Sequence, residues 1–154
     1  MIDKSLEIPK AILLDMDDTI LASRQTSKEC WTNLCNTYAP QLNGITPQKL
    51  LAAIYENINR FWTDPERNNW GRIHPIQANR EVVARTFHQM DVDTPELAAE
   101  IADGFHIERI KTIRPFPGAI DAIHHFRNMG IQLALITNGG KKIQRSKIDK
   151  FQLD

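Results

Sequence analysis

Asp15 and Asp17 directly follow the apolar run Ala11-Ile12-Leu13-Leu14 and are separated only by Met16. Such a carboxylate pair suits phosphoryl transfer. One carboxylate can attack phosphorus and hold the group as an aspartyl phosphate, dividing one hard displacement into two easier ones. The other can protonate the leaving oxygen and then deprotonate water. Thr19 adds a hydroxyl shortly after the pair, and Thr137-Asn138-Gly139 follows a second apolar run far downstream. A hydroxyl and backbone N–H groups at a helix start suit phosphate oxygens. Each cluster also has a plainer reading. Acidic residues after a strand serve as a solvated turn or helix cap, and Thr-Asn-Gly alone serves as an N-cap with a glycine turn.

The elements expected to position these residues make the chemical reading the stronger one. Ala11–Leu14 reads as a short strand buried on both faces, the type found in parallel sheets. Ile131-Gln132-Leu133-Ala134-Leu135-Ile136 reads as a second strand. The helical pattern of Ala119, Ile120, Ile123 and Phe126, with Gly130 in the C-terminal glycine position, feeds that strand. A right-handed, parallel strand–helix–strand connection is expected. Both polar clusters then fall at the carboxyl ends of strands, where open α/β sheets bind ligands.

Between the strands the pattern is helical. Cys30, Trp31, Leu34, Cys35 and Tyr38 trace one face, closed by Pro40. Thr46-Pro47 and Thr94-Pro95 read as N-caps with proline in the first turn. A polar, turn-rich stretch from Thr63 to Pro75 separates the second helix from a third that carries Val82, Val83, Phe87 and Met90. Pro115 and Pro117 mark a break. Residues from about 24 to 112 therefore form a helical insertion after the first strand.

Composition bounds the partners. The 154 residues suit one domain, or one domain with an insertion, and 42% apolar residues can bury a core. The 19 basic and 19 acidic side chains cancel, leaving no electrostatic footprint for nucleic acid or an anionic membrane. A small substrate fits better. Met1–Glu7 has no apolar core for a signal peptide, and no run approaches membrane-spanning length. Cys30 and Cys35 read as buried hydrophobes rather than a disulfide or metal pair. A reducing, cytoplasmic setting is expected.

Ile12-Leu13-Leu14-Asp15-Met16-Asp17-Asp18-Thr19-Ile20 resembles motif I of the haloacid dehalogenase (HAD) superfamily, and Ile136-Thr137-Asn138-Gly139 resembles its motif II. Pro115-Phe116-Pro117-Gly118-Ala119 is similar to the stretch where the chain returns from the cap, and Gln144–Phe151 to the helix after motif II. The resemblance implies an α/β fold, with an incomplete Rossmann-like parallel core (1–23 and 113–154) and an inserted type 1 helical cap (24–112). It implies Mg²⁺-dependent phosphoryl transfer, with Asp15 as nucleophile and metal ligand. Asp17 would be the general acid/base and ligate metal through its carbonyl; Thr137, Asn138 and Gly139 would hold the phosphate. The namesake dehalogenases lack the second aspartate, so Asp17 favours a phosphatase, with a phosphomutase open to the same pair.

The pattern also calls for a lysine and an acidic cluster after two further strands, which these residues do not contain. The expectation is a chain that stops before motifs III and IV and turns over weakly or not at all by itself. Alternatives are a non-catalytic phosphate-binding remnant, or the N-terminal half of a split protein that self-associates or takes a complementing C-terminal chain. Trp70, Arg67 and Arg72, in the polar stretch of the cap, are candidates to read a small phosphorylated metabolite by stacking and ion pairing. The alternative is cap packing for the tryptophan and surface exposure for the arginines.

Overall fold

A computed structural model describes Ile8–Asp154; Met1–Glu7, where no leader is expected, lie outside the described residues. The chain runs β1 (Ala11–Asp15), α1 (Ser23–Tyr38), a 3-10 turn (Ala39–Gln41), α2 (Pro47–Thr63) and α3 (Pro65–Ile73). It continues through α4 (Pro75–Gln89), α5 (Pro95–Thr112), α6 (Ala119–Asn128), β2 (Gln132–Ile136) and α7 (Lys141–Phe151). Two compact units result. One joins the described residues through Arg24 to Arg114–Thr137; the other joins Gln25–Ile113 to Asn138–Asp154.

The first unit carries the sheet. β1 and β2 pair in parallel, Ala11 opposite Gln132 through Asp15 opposite Ile136. Gly130 takes a left-handed φ of 75° and turns the end of α6 into β2, a conformation that costs a glycine nothing. The strands are where the apolar runs place them, but neither is buried on both faces. Ile12, Leu14, Leu133 and Leu135 are half-buried, whereas the alternate residues are open, Leu13 at 66% and Ile136 at 57% exposure. The reason is the lack of cover. Strand burial on both faces requires layers on each side of a sheet, and among the described residues one helix, α6, packs on the pair, against β2.

The second unit holds the main apolar core, built by α1, α2, α4 and α5 from Trp31, Leu50, Ile54, Phe61, Val82, Phe87, Ile101 and Phe105 among others. Trp31 stacks on Phe105 with ring centroids 4.4 Å apart. Cys30 and Cys35 are buried free thiols in this core, and burial pushes Cys35 up to about 12. Thr46 caps α2 by accepting from Lys49 N at 3.3 Å. Thr94 sits at the N-cap of α5 but makes no side-chain cap bond.

The polar stretch after Thr63 is helical rather than a run of turns. Asp64 accepts from the backbone N–H groups of Glu66 and Arg67, both at 3.0 Å, with Pro65 in the first turn. Those are strong start signals, and they outweigh the polar composition of α3. At the far end, the Lys150 ammonium of α7 donates to the carbonyls of Ile110 and Ile113. A cation there complements the carboxyl end of α5. No helix among the described residues is long and apolar enough to cross a membrane.

Candidate active site

Asp15 ends β1 directly opposite Ile136, so Thr137 leaves the sheet beside it. A tight turn follows Asp15. Ile20 N and Leu21 N both bond Met16 O, at 3.0 and 2.9 Å, and Asp18 N bonds Leu21 O at 2.8 Å. Met16, Ile20 and Leu21 are buried, and they anchor the turn while its polar residues stay accessible. Thr19 Oγ1 lies 3.4 Å from Asp15 Oδ2. The Ser23 hydroxyl, itself buried, donates to the Asp17 carboxylate. Asp18, at a left-handed φ of 60°, accepts from Arg24 N at 2.7 Å and so caps the start of α1. It is a turn residue, as its place after the pair suggests.

The turn is braced where the chain leaves and re-enters the unit. Ala22 N bonds Arg114 O and Phe116 N bonds Ile20 O, both at 2.9 Å. Ser23 is not legible as a site residue in the sequence. Its only signal is a hydroxyl at a helix start, and nothing in the spacing points it at Asp17.

Asn138 and Gly139 follow Thr137 in the chain but group with the second unit, at the entrance to α7. Both are exposed. Gly140 O accepts from Ile143 N and Gln144 N at 3.0 Å, closing the first helical turn. In the same unit the Arg72 carbonyl lies 3.7 Å from where a side chain at Gly140 would begin, which brings the end of α3 beside this loop.

The α3 candidates differ in their commitments. Arg67 makes a close ion pair with Glu81, which Arg85 also approaches at 3.4 Å, and its guanidinium lies 5.8 Å from the Phe61 ring. Trp70 is 42% exposed, its ring 6.4 Å from Phe61 and 5.0 Å from His74. Arg72 Nε donates to Asn68 Oδ1 at 2.7 Å and is otherwise exposed. Arg67 is thus occupied inside the helical unit, whereas Trp70 and Arg72 present accessible surface.

A family model described as haloacid dehalogenase-like hydrolase matches residues 9–154. The chain belongs to the haloacid dehalogenase-like hydrolases. Among the proteins it is similar to, hexitol phosphatase A of Escherichia coli (strain K12) is 24% identical over 141 residues, covering 90% of this chain and 52% of the relative. Glyceraldehyde 3-phosphate phosphatase of Methanopyrus kandleri is 23% identical over 132 residues, 84% of this chain and 51% of the relative. The HAD-like chain therefore spans about half the length of the curated relatives it matches.

Two solved structures support the fold. L-2-haloacid dehalogenase from Xanthobacter autotrophicus matches at a TM-score of 0.53 and 15% identity, over 95% of this chain and 53% of that one. 2-Haloacid dehalogenase from Pseudomonas syringae pv. tomato DC3000 matches at 0.54 and 16%, over 94% and 61%. At those identities the likeness concerns the α/β fold, here with its sheet incomplete.

Mg²⁺ takes near-octahedral oxygen coordination and usually keeps several waters. In this HAD-like chain the Asp15 carboxylate and the Asp17 carbonyl are oxygen donors of the right kind. Their number falls short of a full site. The carboxylates of Asp17 and Asp18 are engaged by Ser23 and Arg24 N. No group of three His, Cys, Asp or Glu side chains able to hold a metal comes together among the described residues.

Proposed function

We propose that this polypeptide is the N-terminal part of a phosphatase acting on a small phosphorylated metabolite through an aspartyl phosphate. The observation that carries the reading is the placement of Asp15 at the end of β1, in register with the residue before Thr137, with the Asp17 carboxylate held by Ser23. The Asp15 carboxylate attacks phosphorus while Asp17 gives a proton to the departing oxygen. Asp17 then takes a proton from water, which attacks the aspartyl phosphate; phosphate leaves and Asp15 is regenerated. Thr137, Asn138 and Gly139 hold the phosphoryl oxygens. The presence of Asp17 and the names of the two matched phosphatases support phosphate-ester chemistry over dehalogenation.

Mg²⁺ bound at Asp15 and the Asp17 carbonyl would neutralise charge on the phosphoryl oxygens. Because these donors are few, the remaining ligands and a cation for the phosphoryl group belong to a further segment, in the same or a complementing chain. The exposure of Leu13 and Ile136 supports this, since such a segment would also cover that face of the sheet. By this reading residues 24–112 serve as the cap, and the core is 1–23 with 113–154. Trp70 and Arg72 are the cap residues that contact the metabolite. The two buried free thiols favour a reducing, cytoplasmic compartment.

Hydrolysis of an aryl phosphate with Mg²⁺ tests the proposal, using this chain alone and this chain extended by the completing strands. Weak release from the first and Asp15-dependent release from the second are expected. Robust Asp15-dependent turnover by the chain alone overturns the incompleteness. Turnover in the extended form confined to a 2-haloacid overturns the phosphatase reading.

A further inference from the structure

Gly139 is the glycine of the Thr137-Asn138-Gly139 cluster, and its backbone does not take a left-handed φ; what demands glycine there is a neighbour. A Cβ at this position would lie 2.6 Å from both Cδ and Nε2 of Gln144 and 2.9 Å from its Cγ. Gln144 is only 4% exposed, and the atoms that such a Cβ would meet are the end of its side chain. Its backbone N–H closes the first turn of α7 on Gly140 O at 3.0 Å.

We propose that Gln144 is a positioning residue for the phosphate-holding loop, its buried carboxamide packed against the backbone of Gly139; the inference rests on the phosphatase reading. Burying an amide costs free energy unless it is hydrogen-bonded. A leucine or methionine would fill the same space without that cost, so filling space does not account for glutamine. A neutral carboxamide is also compatible with an anion on the outer side of the loop, where glutamate would repel it. The charges on the same helix agree: Lys141, Lys142, Arg145 and Lys147 all come before its first acid, Asp149. Arg145 is paired with Asp149 at 2.7 Å and Asp154 at 2.8 Å, and the uncharged carbonyl of Arg72 lies 3.7 Å from where a side chain at Gly140 would begin.

The test is phosphate titration of the full chain, followed by ¹H–¹⁵N NMR at the Gly139 and Gly140 amides. Inorganic phosphate is expected to shift both amides in the wild type. Gln144→Met should keep its melting behaviour and lose about tenfold or more in affinity, a change of roughly 1.4 kcal/mol or more. Gly139→Ala, which displaces the carboxamide from the other side, should lose affinity likewise and serves if Gln144→Met does not fold. Gln144→Glu should bind sulfate, which does not titrate in this range, far better at pH 5 than at pH 8, with the wild type much flatter. If the wild-type amides do not respond to phosphate, the phosphate-holding reading fails and takes this inference with it. If they respond but Gln144→Met binds as tightly and Gln144→Glu has the wild-type pH profile, the role of Gln144 alone is overturned.

Discussion

Ser23, the first residue of α1, donates its hydroxyl proton to the carboxylate of Asp17. The bond crosses the tight turn after β1 and ties the proposed acid/base to the point where the chain leaves the sheet unit. A hydrogen bond to a charged group contributes about 1.5–3 kcal/mol. A double-mutant cycle of Ser23→Ala and Asp17→Ala, read by urea denaturation, should therefore give a coupling of about 1–3 kcal/mol. Additive effects would show that the contact carries no energy.

Gly71 reports on how α3 seats against α2. Alanine is the better helix former by about 1 kcal/mol. Its Cβ, however, would meet Phe61 Cε1 at 2.7 Å and Trp62 Cη2 at 3.0 Å, and Phe61 is buried. Overpacking of a tight contact costs about 1–3 kcal/mol, so Gly71→Ala should lower the melting temperature and change the near-ultraviolet signal of the tryptophans. A higher melting temperature would mean that α3 is loosely held.

His106 gives the helical unit a dependence on pH. Burial pushes its imidazole below the ordinary histidine range, against the opposing pull of Asp103, and Nε2 lies 3.2 Å from Asn79 Nδ2. The unfolded chain therefore binds the proton first as pH falls through about 6.5. The stability is present above that value and is lost as pH falls on through the lower folded value. Asp103 is also held below its ordinary range, chiefly by its hydrogen bond from Arg80, but its loss belongs to the more acidic carboxylate window. Urea midpoints at pH 7.5 and pH 5 should separate in the wild type and draw together in His106→Gln. Equal separations would exclude His106 as the cause.

The strands, the caps at Thr46 and Gly130 and the placing of Asp15 beside Thr137 were legible in the sequence because each rests on local pattern. Apolar runs bounded by polar residues and a cap residue before proline carry their own signals. Other features depend on what meets them in space. Thr63–Pro75 reads as turns by composition, yet the Asp64 cap makes it α3. Leu13 has the same apolar character whether or not a layer covers it, so the run could not reveal that its face is open. The Ser23–Asp17 contact crosses a left-handed residue, Asp18, and no periodicity reports such a bond. Gln144 looks like one more polar residue on a basic helix until its contact with Gly139 is seen.

The open sheet face leads to a prediction that contrasts two neighbours. Met16 is fully buried, and Met16→Ala should cost about 2–5 kcal/mol. Leu13 is 66% exposed, so Leu13→Ser in this chain should cost no more than about 0.5 kcal/mol and should improve solubility. The balance changes if a further segment completes the sheet. With the face covered, the Leu13 side chain contributes about 1.5–3 kcal/mol by burial, and the cost of Leu13→Ser should rise by that amount while that of Met16→Ala stays where it is. Urea denaturation of both variants, in this chain and in the extended form, measures the four values. A Leu13→Ser cost that remains small after extension would show that the completing segment does not cover this face.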